Sequence, residues 1–211
     1  MGILLLSACS YNGDGENKGI QASPTAVPAS ANNQATTVNV IATTNIVADW
    51  ASNIGDGGRV KITSLLSAGT DPHSFVPTVG DVAQIVDADL ILSIGPALED
   101  RWFQELIRNA SDDHSKLVVL GEVVGPIELI GTPERHGEHG DGLFDPHFWF
   151  DPQLVKLASN EITARLSELD PHGSANYIAN ASAFNQQLDQ LDQWIEDQID
   201  QVPTERRILV T

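Results

Sequence analysis

The chain holds six histidines and a single cysteine, and the tripeptide Asp-Pro-His occurs three times, ending at His73, His147 and His172. A neutral imidazole nitrogen binds zinc or manganese well, so histidines that a fold brings together are candidate metal ligands. His73 closes the loop segment Ser67-Ala68-Gly69-Thr70-Asp71-Pro72-His73, directly after a strand-like segment. His147 stands in Phe144-Asp145-Pro146-His147-Phe148-Trp149-Phe150-Asp151, a polar residue entering an aromatic run. Strand alternation there would place His147 on the side of Trp149 and opposite Phe148 and Phe150. An imidazole set in an apolar wall suits a metal ligand, because the wall excludes water and a neighbouring acceptor orients the ring. Two histidines far apart in sequence are equally compatible with two solvated side chains, so spacing alone leaves the pair open.

The other histidines have simpler readings. His114 lies in the polar run Ser111-Asp112-Asp113-His114-Ser115 and reads as solvated. His172 follows an Asp-Pro pair at the expected start of a helix, and capping alone explains its position. His136 and His139, in Glu134-Arg135-His136-Gly137-Glu138-His139-Gly140-Asp141, belong either to a solvated loop or to a weak metal-collecting one. Neither His-Glu-x-x-His nor Gly-x-Ser-x-Gly occurs, so a zinc hydrolase or serine hydrolase would lack its motif.

The cysteine marks a place rather than a reaction. Residues 3–8 read Ile-Leu-Leu-Leu-Ser-Ala, too short a run to span a bilayer, and Cys9 follows. Leu6-Ser7-Ala8-Cys9 resembles the bacterial lipobox, in which the cysteine carries lipid and becomes the mature N-terminus. Residues 10–37 are rich in Gly, Asn, Ser, Ala, Thr and Pro, and read as a flexible tether that cannot repay its ordering entropy by burial. Together they predict an extracytoplasmic, lipid-anchored protein. One cysteine also excludes an internal disulfide and a cysteine-rich zinc module.

These residues need a scaffold, and the composition supplies one. Of the 211 residues 41% are apolar, enough for a core, while 29 acidic against 11 basic residues give a net charge of −18. That balance argues against nucleic-acid binding, which needs a basic footprint, and against a polybasic membrane surface. From residue 38 strand-like and helix-like segments alternate: strands at 38–42, 59–66, 89–94 and 116–120, helices at 45–53, 78–87 and 99–110. Strands separated by single helices predict an α/β fold with a mostly parallel sheet of about four strands, and ligands of such sheets sit at the strands' carboxyl ends. Residues 125–146 read as a long loop. Asp151-Pro152 then opens a helix to about residue 169, and Asp170-Pro171 repeats the device for a longer one. The apolar stripe of that second helix is Tyr177, Ala181, Phe184, Leu188, Leu191, Ile195 and Ile199; Pro203 ends it, and residues 206–211 begin another strand.

Longer motifs carry a family resemblance. Leu65-Leu66-Ser67-Ala68-Gly69-Thr70-Asp71-Pro72-His73-Ser74-Phe75-Val76-Pro77-Thr78, followed by Asp81-Val82 and Ala88-Asp89-Leu90, resembles the zinc/manganese ABC-transporter substrate-binding lipoproteins of the ZnuA/TroA type. So do Asp145-Pro146-His147-Phe148-Trp149-Phe150-Asp151-Pro152 and Ile208-Leu209-Val210-Thr211, in matching order; Val76 replaces a Glu common in the family. The resemblance implies two α/β lobes joined by a long helix, a metal in the cleft between them, and first-lobe ligands matching His73 and His147. The remaining ligands would come from a second lobe. Residues 1–9 then read as a signal remnant, 10–37 as the tether, 38–173 as the first lobe, 174–203 as the linking helix and 204–211 as the first strand of the second lobe. Asp71 and Asp145 are expected to orient the histidine rings as second-layer acceptors. His136 and His139 resemble a shortened form of the mobile histidine loop of zinc-specific members, which favours Zn2+ over Mn2+.

The implied function is a monomeric, non-enzymatic receptor that captures a divalent metal and passes it to an ABC permease and its ATPase, with affinity falling as pH drops through the imidazole range. A zinc-dependent hydrolase and a receptor for another ligand, such as an iron chelate, are the alternatives. Relatives of this family often carry an adhesion role as well, which no residue here tests.

Overall fold

Alternating apolar residues build a sheet that is buried on both faces. The computed structural model describes residues 37–95, 98–110, 115–127 and 145–208, all within one compact unit, Ala35–Thr211. Cys9, the tether up to residue 36, His114, His136 and His139 lie outside the described residues. Four strands, β1 (Val38–Ala42), β2 (Val60–Ser64), β3 (Leu90–Ser93) and β4 (Leu117–Val119), form a sheet in the order β2-β1-β3-β4. Every pairing is parallel, with Val38 opposite Val60, Val40 opposite Leu90 and Ile91 opposite Leu117. Strand order therefore reverses between β1 and β3, and this switch point opens a crevice at the carboxyl ends.

Among the described residues six α-helices accompany the sheet: α1 (Asn45–Ile54), α2 (Val79–Asp87), α3 (Asp100–Ala110), α4 (Leu120–Val124), α5 (Pro152–Leu169) and α6 (Ser174–Asp200). Val40, Ala42, Leu90 and Leu92 face a core shared with Val47, Trp50 and Ile54 of α1, Val155 and Ile162 of α5, and Tyr177 of α6. Ile41 and Ile91, one residue out of phase, face Ile85 of α2 and Phe103, Leu106 and Ile107 of α3. The period of two is what lets one strand serve both layers, as in other doubly covered parallel sheets.

Local signals start α2 and α5 where the sequence places them. Thr78 and Asp81 form a reciprocal capping box at α2, and Lys116 Nζ donates to the carbonyls of Ile85, Val86 and Ala88 at its other end. Asp151 accepts from the N–H groups of Gln153 and Leu154 at the start of α5, with Pro152 in the first turn. Thr78→Ala is expected to cost about 1 kcal/mol in chemical denaturation without altering the fold.

Four expectations are corrected. The strand read to residue 120 stops at Val119, and α4 follows at once, because Gly121 N–H bonds the Ile94 carbonyl at 2.7 Å; a Cβ at Gly121 would lie 2.7 Å from that oxygen. Asp170 does not cap α6. It is the C-cap of α5, α6 starts after Gly173 with no side-chain cap, and the Asp170 carboxylate is taken by Arg59 and Tyr177. The stripe on α6 is only partly covered: Tyr177, Ala181 and Leu188 are buried, whereas Leu191 and Ile199 are 46% and 48% exposed. The reason is length, since α5 has 18 residues against 27 for its neighbour α6, so about 14 Å of α6 runs past α5. Finally, Thr204–Arg206 form a 3₁₀ turn and residues 207 and 208 are irregular, so no strand begins at Arg206; residues 209–211 lie outside the described part.

Candidate metal centre

The switch-point crevice contains a cavity of about 290 Å³ at the carboxyl ends of the strands. Thr44, Asn45 and Ile46 reach it from the β1–α1 junction, and Leu66, Thr70, Pro72 and His73 from the loop after β2. Leu98 lines it from the connection into α3, and His147 with Trp149 from the segment ahead of α5. The two histidines singled out in the sequence, 74 positions apart, therefore share one cavity.

Each is set by a local turn that its own tripeptide makes. Asp71 Oδ1 accepts the His73 N–H at 3.0 Å, and Asp145 Oδ1 accepts the His147 N–H at 2.9 Å. Both are Asx turns, in which an aspartate bonds the backbone two residues on while the intervening proline fixes φ. Ser74 Oγ donates to Asp71 Oδ2 at 2.7 Å. Trp102 Nε1 donates to the Pro72 carbonyl at 2.7 Å, and its ring meets Phe75 edge-on at 4.9 Å. The aromatic cluster of α3 thus anchors the His73 loop.

At His147 the turn also reaches the ring. His147 Nδ1 lies 2.6 Å from Asp145 Oδ1; a carboxylate there favours the tautomer that carries its proton on Nδ1 and its lone pair on Nε2. The His147 backbone N–H and then its ring hold the Asp145 carboxyl below the usual carboxylate range. At Asp71 the Ser74 hydroxyl does the same, with the His73 N–H second. Asp145 contacts the His147 ring directly, and Asp71 accepts from the Ser74 hydroxyl and the His73 backbone N–H.

The aromatic run is not a strand. Phe148–Phe150 is a 3₁₀ turn, whose period of three parts Phe148 from Phe150: the first is 3% exposed in the core, the second 79%. His147, just ahead of the turn, packs edge-on against Trp149 at 5.0 Å, so those two rings share a side as expected, by a different geometry. His172 is exposed and does not line the cavity. Among the described residues no group of three or more His, Cys, Asp or Glu side chains is placed to hold a metal. Zinc takes about four ligands, so two histidines on one cavity would fill at most half a tetrahedral shell. Thr44, Asn45, Ile46 and Leu98 were not read from the sequence; the signal available was their place at the ends of β1 and β3, where a parallel sheet collects ligands.

Fold and cavity define the class: an α/β lobe with a cavity at the switch point of a parallel sheet. Residues 40–211 match the family model described as "ZnuA: Zinc-uptake complex component A periplasmic". The chain belongs to this family. It is 35% identical over 173 residues to the manganese-binding lipoprotein MntA of Halalkalibacterium halodurans, covering 82% of this chain and 53% of that one. It is 29% identical over 215 residues to the metal ABC transporter substrate-binding lipoprotein SsaB of Streptococcus sanguinis, covering 100% of this chain and 64% of the relative. Among solved structures, the periplasmic zinc binding protein TroA from Treponema pallidum matches with a TM-score of 0.69 and 30% identity over 82% of this chain and 59% of that one. The chain thus spans about half to under two-thirds of the length of the relatives it matches. No helix among the described residues is long and apolar enough to cross a membrane.

Proposed function

We propose that this chain is the metal-capturing lobe of an ABC transporter's substrate-binding lipoprotein, held outside the membrane by lipid on Cys9 and delivering its ion to a permease and ATPase. The observation that carries the reading is the convergence of His73 and His147 on one cavity at the switch point. Each supplies one neutral imidazole nitrogen, and Asp145 keeps the His147 ring in the tautomer that exposes Nε2. The linking helix of the resemblance corresponds to α6, and further ligands would come from a second lobe.

Zinc is the first candidate for the ion, because imidazole donors rank it above manganese in intrinsic affinity. The manganese-named relatives favour the alternative, Mn2+. Isothermal titration with each ion, then competition between them, tests both readings: saturable binding of either supports metal capture, and binding of neither overturns it. Asp145→Ala is expected to weaken that binding roughly 10–100-fold, the usual cost of removing a partner that orients a ligating histidine. Mass spectrometry of membrane-fraction protein is expected to find Cys9 lipidated; an unmodified Cys9 would remove the anchor from the proposal.

A further inference from the structure

One buried acid lies where the two sides of the crevice meet. Glu99 is 2% exposed, and its carboxylate accepts three hydrogen bonds. Oε1 takes the Thr43 hydroxyl at 2.5 Å and the Ile94 N–H at 2.7 Å, and Oε2 takes the Gly95 N–H at 2.7 Å. Among the described residues these partners are all neutral, so the acid is solvated by protein dipoles in place of water. Burial pushes its carboxyl pKa up against the pull of those donors.

The donors come from two different strand ends. Thr43 directly follows β1, and Ile94 and Gly95 directly follow β3, the two strands between which strand order reverses. Residues 44–46 line the cavity on the β1 side, and Leu98, next to Glu99, lines it on the β3 side. Gly95 has φ of +127°, with no space for a Cβ, which would meet Val119 Cγ1 at 2.8 Å. The turn that Glu99 closes is therefore one that only glycine forms readily.

We propose that Glu99 is a positioning residue for the metal cavity: by clasping the Thr43 hydroxyl and the Ile94–Gly95 backbone, it fixes the separation of the β1 and β3 loops and with it the walls around His73 and His147. This rests on the metal-capture reading. Loss of the clasp lets the walls move, so the two imidazoles are held less closely to the geometry one ion requires.

The test compares melting temperatures without and with saturating zinc or manganese, because a ligand that binds only the folded state raises the melting temperature according to its affinity. Glu99→Gln removes the charge at nearly constant shape. Thr43→Val removes one donor and keeps a well-packed β-branched side chain should the Glu99 variant fold poorly, and Thr43→Ser restores the hydroxyl. The wild-type chain is expected to show a metal-induced rise that His73→Ala/His147→Ala loses. In Thr43→Val and Glu99→Gln the rise should shrink, corresponding to roughly tenfold or more weaker binding, and Thr43→Ser should recover it. Variants that melt lower in the metal-free form yet keep the whole metal-induced rise would show Glu99 to be purely structural, overturning this inference and leaving metal capture intact. A wild-type chain with no metal-induced rise would overturn the reading beneath it as well.

Discussion

Replacing His73 and His147 together with alanine is expected to abolish saturable binding of zinc and manganese in calorimetry, and to leave circular dichroism and melting without metal essentially unchanged. Both side chains are exposed at the cavity, and surface substitutions away from buried networks usually stay within about 0.5 kcal/mol. Their value lies instead in two nitrogen donors that the fold places on one cavity. Each single variant should lose at least the roughly 10–100-fold that removing an orienting partner costs. His172→Ala is the matched control: it ends the same tripeptide, but its exposed ring does not line the cavity, so binding should be unaffected. Unaltered affinity in the double variant would remove the two histidines from the site.

Asp170→Ala is expected to be the most damaging substitution for stability. The Asp170 side chain is 2% exposed and accepts from Arg59 Nε and Nη2, each at 2.6 Å, and from the Tyr177 hydroxyl at 2.6 Å. It joins the start of β2, the end of α5 and the first turn of α6 at one corner of their shared core. Removing the carboxylate strands the fully buried Tyr177 hydroxyl and leaves the part-buried Arg59 without its partner; a buried donor left unsatisfied costs about 1–3 kcal/mol, or several degrees in melting temperature for a domain of this size. Gly173→Ala should injure the same cluster, since its Cβ would fall 2.5 Å from both Asp170 Oδ2 and Tyr177 Cζ.

The pH dependence has a definite sign. The Arg59 hydrogen bonds hold the Asp170 carboxyl well below the usual carboxylate range. Its stabilisation is therefore complete above the unfolded value of about 4 and is lost as pH falls through the lower folded one. Tyr177 runs the other way: burial, and then the hydrogen bond to Asp170, push its hydroxyl up to about 12. That contribution is complete below about pH 10 and is lost as pH rises through the folded value. The stability gap between wild type and Asp170→Ala, followed by urea denaturation, should be flat near neutrality and close in acid. A gap that widened below pH 4 would contradict this sign.

Much of the scaffold was legible because its signals are local. The capping box at Thr78, the Asp151-Pro152 helix start and the alternating apolar residues of β1 and β3 each act within a few positions of the chain. The aromatic run after His147 misled, since three aromatic residues suit either a strand or a tight turn and the packing of Phe148 in the core decides. The lower end of α6 was read as an amphipathic face, yet how much of it is covered depends on where α5 stops.

The clearest division runs through the three Asp-Pro-His tripeptides. By itself the sequence determined the family and the parallel α/β order. The Asx turns at His73 and His147 are local as well, since an aspartate two residues before a histidine reaches its backbone N–H, but the sequence alone suggests only a ring-orienting role for these aspartates. Only the tertiary structure decided that these two turns meet at one cavity, that Glu99 joins the loops beside it, and that the third tripeptide serves a different purpose. Asp170 has the same neighbours in sequence as Asp71 and Asp145. In space it also has Arg59, 111 positions away, and the Tyr177 hydroxyl. A buried, charge-assisted pair outweighs a local turn, and no window of the sequence contains both partners.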